Sequence, residues 1–131
     1  MKRTVEIKIR RDDMLVGTLE TKSPLFLAFP PGSVSVLKPN GKDARSDMEL
    51  GTLRQEWADH EKVSAETYKA AASAITEVEI NPLGAIGTLR DHLAAALGLP
   101  ASALELRLPD KTPANEKSKV STFLTAWGVK D

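Results

Sequence analysis

Leu93-Ala94-Ala95-Ala96-Leu97-Gly98-Leu99-Pro100-Ala101-Ser102-Ala103-Leu104-Glu105-Leu106-Arg107-Leu108 is the stretch on which the reading of the fold turns, because its second part fits two different elements. From about Leu89 to Leu97 the residues are strong helix formers, and Gly98 falls where a left-handed residue closes a helix. After the Gly98-Leu99-Pro100 corner, Leu104, Leu106 and Leu108 alternate with Glu105 and Arg107, the period-2 pattern of a strand with one buried face. The same residues also fit a short second helix stopped by Pro109. Periodicity alone does not separate short apolar runs. The strand reading is preferred, and the helix reading is kept as the alternative.

Each reading carries a resemblance. As helix, corner and strand, the segment resembles ubiquitin-like β-grasp domains, whose helix ends in a comparable Gly-apolar-Pro turn. No Gly-Gly tail follows, so conjugation is not implied. As helix, corner and helix, residues 88–108 resemble the helix-turn-helix pattern, with Ala94, Gly98 and Leu104 at the small, turn and apolar positions. That resemblance implies duplex DNA as partner, contacted by Arg107 and Lys111. Separately, Lys8 and Arg10 on the polar face of an N-terminal β-ribbon are further candidate phosphate contacts, with the protection of an edge strand by charge as the preferred reading of the same residues. The chain departs from the pattern where it matters. Glu105 and Arg107 are the only charges on the would-be recognition helix, whereas DNA-reading helices present several polar or basic side chains.

Upstream, Val5, Ile7 and Ile9 alternate with Thr4, Glu6, Lys8 and Arg10, which predicts a half-buried strand. Arg11-Asp12-Asp13 supplies a turn, and Met14 to Glu20 reads as the returning hairpin partner. Leu25 to Phe29 and Val34 to Lys38 read as two more strands, stopped by Pro30-Pro31-Gly32 and Pro39-Asn40-Gly41-Lys42. An antiparallel meander over residues 1–45 is the expectation.

Residues 46–75 read as two helices. Ser46 and Glu49 form the S-x-x-E capping pattern ahead of Leu50, Leu53 and Trp57, a bend falls near Lys62, and Ser64 caps the second helix. Tyr68, Ala71, Ala72 and Ile75 share one face of that helix. A strand near 76–80 follows. Thr112-Pro113 reads as the start of the last helix and Gly128 as its end, with Val120, Phe123, Leu124 and Trp127 in one apolar stripe. The expected fold class is therefore α+β: one domain over 1–131, with a β-rich half (1–45), three or four helices in the other half (46–131), and added strands near 76–80 and 104–108. The triplet Gly-Thr-Leu recurs at Gly17, Gly51 and Gly87, but its flanks do not match and the first copy falls in an expected strand, so it is read as coincidence.

Composition narrows function mainly by exclusion. The 131 residues carry 18 basic and 18 acidic side chains, so the chain as a whole lacks the basic surplus of a nucleic-acid binder. Without cysteine, thiol catalysis and cysteine-ligated metals are excluded. The longest apolar runs, such as Leu25 to Phe29, are far below the roughly 20 residues of a membrane span, and no signal-peptide pattern opens the chain. The cytoplasm is the default location. Glu56 and His60 share a helix face, yet two ligands do not make a metal site, and no nucleophile or phosphate-loop motif occurs. No catalytic residue, cofactor or metal is assigned. The reading that remains is a non-catalytic module that binds another protein, such as a regulatory, inhibitory or assembly factor of phage or mobile-element origin. Trp57, Tyr68 and Trp127 are its interface candidates. DNA binding through 88–108 is second, and an enzyme with a site dispersed in sequence is third.

Overall fold

Four of the expected strand segments contain strands among the described residues, but these find their partners far along the chain. The computed structural model describes residues 3–6, 14–18, 29–30, 32–75 and 77–128. Strand β1 (Arg3–Glu6) pairs antiparallel with β3 (Glu77–Ile80), and β2 (Val34–Val36) pairs antiparallel with β4 (Leu104–Leu106). The class is α+β, and both late strands are present. Among the described residues, however, β1 and β2 are not neighbours in a meander; each pairs with a strand of the other half. Burial explains the choice: Val78 and Ile80 are buried between exposed Glu77 and Glu79, and β2 and β4 bury Val34, Val36, Leu104 and Leu106.

The expected hairpin strand from Met14 to Glu20 is corrected. Leu15 makes a single bridge to Glu49, and residues 16–18 are helical. The expected turn at 11–13 and the strand at 25–29 lie outside the described residues, apart from buried Phe29.

The cross-pairing has a simple origin in that a first half, up to residue 61, and a second half, from residue 77, repeat each other at a shift of 70 positions (Gly17 to Gly87). The Val16 and Gly17 amides donate to the Met48 and Ser46 carbonyls; the Ile86 and Gly87 amides donate to those of Ser118 and Glu116. Ala44 donates to Val36 as Ala114 donates to Leu106, and Lys38 to Lys42 as Leu108 to Thr112. The left-handed residue of the following turn is Gly41 in one half and Lys111 in the other. Gly17 and Thr18 of the first Gly-Thr-Leu triplet are thus the structural equivalents of Gly87 and Thr88 of the third. A Cβ on Gly17 would stand 2.8 Å from the Ser46 Cβ, and one on Gly87 3.3 Å from the Glu116 Cβ, because the loop ahead of a helix crosses closely there. Ser35 pairs with Glu105, its own equivalent, while Leu37 donates to Ala103 and Arg107 reciprocally to Ser33. A local two-fold relation between the halves therefore passes through the β2–β4 ladder.

Helix α1 (Leu50–Glu61) is followed by α2 (Ala65–Ser73), α3 (Ile86–Leu97) and α4 (Val120–Ala126), with a 3-10 turn at Ala101–Ala103. Ser64 caps α2 as expected, Lys62 makes the bend at φ 59°, and Gly98 closes α3 at φ 73°. The caps expected at Ser46 and Thr112 are corrected. Helices α1, α3 and α4 are preceded by Glu49, Ala85 and Lys119, none of which caps with its side chain. Their first amides are satisfied by backbone instead: Leu50 donates to Met14, Ile86 to Ser118 and Val120 to Gly84. The last helix consequently starts at Val120 rather than Thr112, and Thr112 and Pro113 lie in the preceding turn and bridge. Buried residues of both halves join in one hydrophobic cluster.

Candidate functional site

Trp57 and Trp127 hold equivalent places. The Trp57 indole Nε1 donates to the Leu37 carbonyl at 2.9 Å, and the Trp127 Nε1 donates to the Arg107 carbonyl at 2.8 Å. Each pins the turn that follows a central strand. Trp57 is only 4% exposed and sits edge-on to His60, so it is a core residue rather than an interface anchor. Trp127 is partly buried against the core. Tyr68 is partly buried on α2, where burial and then the charge of Glu61 raise its phenol above the ordinary value. The two tryptophans pin separate turns, which the expectation of an aromatic interface had not foreseen.

The DNA-contact candidates fare differently from their expected roles. Lys8 and Arg10 lie outside the described residues. The segment read as a recognition helix is one 3-10 turn followed by strand β4, so a helix-turn-helix is not formed. Alternation of Leu104 and Leu106 into the core overrides the helical alternative. Arg107 projects from the end of that strand into two carboxylates, Glu105 at 2.6 Å and Asp43 of the other half at 2.7 and 3.3 Å. The hydrogen bond from Arg107 lowers the Asp43 pKa, and the Arg107 pKa is raised in return. Its charge is used in joining the halves. Lys111 is exposed in the turn after β4.

What the fold does assemble is a groove of about 310 Å³ between α3, β4 and the arm at 113–116. Leu37 of the first half meets Ile86, Leu104 and Leu106 of the second along it, and Arg90 and Glu116 carry charge at its rim. The Arg90 guanidinium is held by Glu116 and by Asp91, the latter at 3.3 Å, while its Nε is buried without a hydrogen-bond partner among the described residues. Burial alone would lower the Arg90 pKa; the bonds to Glu116 and Asp91 outweigh it, and the net shift is upward. Sequence reasoning did not single out Arg90 or Glu116. They lie 26 positions apart, and the only available signal was the repeat that brings 116 against 87.

A second cleft of about 230 Å³ lies beside the Asn81–Gly84 turn, lined by Glu79, Thr88 and His92 among others. Leu83 on that turn is 74% exposed. Among the described residues no three His, Asp or Glu side chains converge as metal ligands, and no helix is long and apolar enough to cross a membrane. Comparison with protein-family models, with curated proteins and with solved structures yields no match for this chain.

Proposed function

We propose that this chain is a non-catalytic module that binds another protein through the groove between α3, β4 and residues 113–116, working as a regulatory, inhibitory or assembly factor in the cytoplasm. The observation that supports this reading is the make-up of the groove. Its floor is apolar and drawn from both halves, through Leu37, Ile86 and Leu106, and its rim is charged through Arg90 and Glu116. An apolar centre with a polar rim is the usual anatomy of a protein-binding surface. The Arg90–Glu116 pair holds one wall before any partner arrives, so less side-chain freedom is lost on binding.

Affinity capture with matched variants tests it. Half-buried Ala114 lines the groove, and Ala114→Arg would occlude it; Lys111→Glu alters an exposed charge outside it. The reading expects one protein to be recovered by the wild type and by Lys111→Glu and lost with Ala114→Arg, with all three showing the same circular dichroism. Equal recovery by the occluded variant, or recovery of nucleic acid alone, refutes it.

A further inference from the structure

The two halves are joined by a single bent linker, and every described ladder runs between halves rather than within one. We propose that the chain also assembles as an exchanged dimer, in which β1 and β2 of one copy pair with β3 and β4 of a second copy. The partner is a second copy of this chain, and the surface is the one already used inside the monomer.

Three observations carry this. First, β1–β3 and β2–β4 join residues that belong to different halves, so the same bonds form whether the halves share a chain or not. The Arg107–Asp43 ion pair also links the halves and survives exchange intact. Second, the bend itself is exposed at Lys62, Val63 and Ser64, although α2 packs on α1 and α3. None of the residues of α2 is fully buried, and Val63 beside the bend is 44% exposed. Third, the bend rests on Lys62, a residue with a Cβ at φ 59° and ψ 43°. A side chain in the left-handed region is disfavoured, and straightening the bend relieves it.

Straightening would merge α1 and α2 into one helix from Leu50 to Ser73, about 36 Å long at 1.5 Å per residue. The backbone bonds of the bend, Lys62 to Asp59 and Val63 to Ala58, would be replaced by the helix's own i to i−4 bonds. The Ser64 cap on Glu66 opposes the merger, since it favours a fresh helix start at 65. The bend is therefore a balance between one unfavourable backbone angle on one side and, on the other, one cap together with the packing of α2 on α1. Exchange of identical elements across such a hinge is a low-cost route to dimers.

The test uses the full chain, refolded from denaturant at high concentration and sized by gel filtration with light scattering. Lys62→Ala combined with Ser64→Ala removes the cap and keeps the disfavoured angle; Lys62→Gly removes the angle's cost and keeps the bend. The proposal expects dimer in the wild type, at least tenfold tighter dimerisation for the double variant, and weaker dimerisation for Lys62→Gly. A second measurement needs no hinge variant. Ser35 and Glu105 are opposed in the β2–β4 ladder, so co-refolding a Ser35→Cys chain with a Glu105→Cys chain should give a mixed disulfide-linked dimer on oxidation. Dimers lacking that crosslink, or a monomer for every variant at every concentration, would overturn the proposal.

Discussion

Arg54 is the charge this fold buries most completely among the described residues, at 2% exposure, and its removal should be costly. Its guanidinium donates to the Leu97 carbonyl from Nη2 at 2.7 Å and from Nε at 3.3 Å, at the point where α3 ends. A cation there also meets the negative end of the helix dipole. Arg54→Ala deletes charge-assisted bonds worth about 1.5–3 kcal/mol and leaves the Leu97 carbonyl exposed to an unfilled space. Together these predict a loss of about 3–5 kcal/mol, a large part of the roughly 5–15 kcal/mol that holds a domain of this size. Urea titration should move the unfolding midpoint down by about 2 M for a slope near 2 kcal/mol per M.

Gly98 provides an internal control for the same contact. A Cβ there would stand 2.8 Å from the Arg54 Nε and would adopt φ 73°. Gly98→Ala should therefore cost the left-handed angle, about 1–2 kcal/mol, plus the displacement of Arg54. In the Arg54→Ala background only the first part remains, so the two substitutions should couple by about 1 kcal/mol. An unchanged midpoint for Arg54→Ala, with an unchanged slope, would refute this reasoning.

Phe123 is 1% exposed in the shared core, so Phe123→Ala should destabilise by about 3–5 kcal/mol in calorimetry or urea titration. Trp57→Phe and Trp127→Phe each delete one indole-to-carbonyl bond in equivalent turns, and each should lower stability by about 1–2 kcal/mol with the carbonyl left unpaired. Asp43 has its pKa held below the ordinary 3.8 chiefly by the bond from Arg107, so its contribution is complete above that value and is lost as pH falls through the lowered one. Because its side chain is 62% exposed, the contribution is screened to at most about 1 kcal/mol, and Asp43→Asn should flatten the stability curve only below about pH 4. Melting in the presence of excess chelator should match melting without it, since no three ligands converge among the described residues.

Much of the local structure was legible in the residues. Alternation over Glu77–Ile80 and Leu104–Leu106, the Gly98 corner and the Ser64 cap all follow from rules that act within a few positions. Three helix starts were misread for one reason. Their amides are satisfied by carbonyls at Met14, Ser118 and Gly84, up to 36 positions away, so no capping side chain was needed at Glu49, Ala85 or Lys119. Motifs at Ser46–Glu49 and Thr112–Pro113 then offered attractive but unused alternatives.

The repeat was hidden by divergence. Pro39, Ala44, Thr52 and Trp57 recur as Pro109, Ala114, Thr122 and Trp127, yet these identities are spread thinly and the contiguous Gly-Thr-Leu triplet had a distracting middle copy at Gly51. What survives is backbone geometry, held by the close approach at Gly17 and Gly87 and by the two indole bonds. The groove could not be read locally either, because its floor joins Leu37 to Ile86 and Leu106 through the pairing of the halves.

That pairing is open to direct observation. Leu37 donates to Ala103 and Arg107 to Ser33, which makes Val34–Leu106 and Val36–Leu104 the non-hydrogen-bonded pairs of the ladder, with Cα atoms about 4.5 Å apart and α-protons facing. Proton NMR of the monomer should show strong Hα–Hα cross-peaks between Val34 and Leu106 and between Val36 and Leu104. Absence of both, with β2 α-protons instead cross-peaking to residues of the first twenty, would restore the N-terminal meander and contradict the two-fold account.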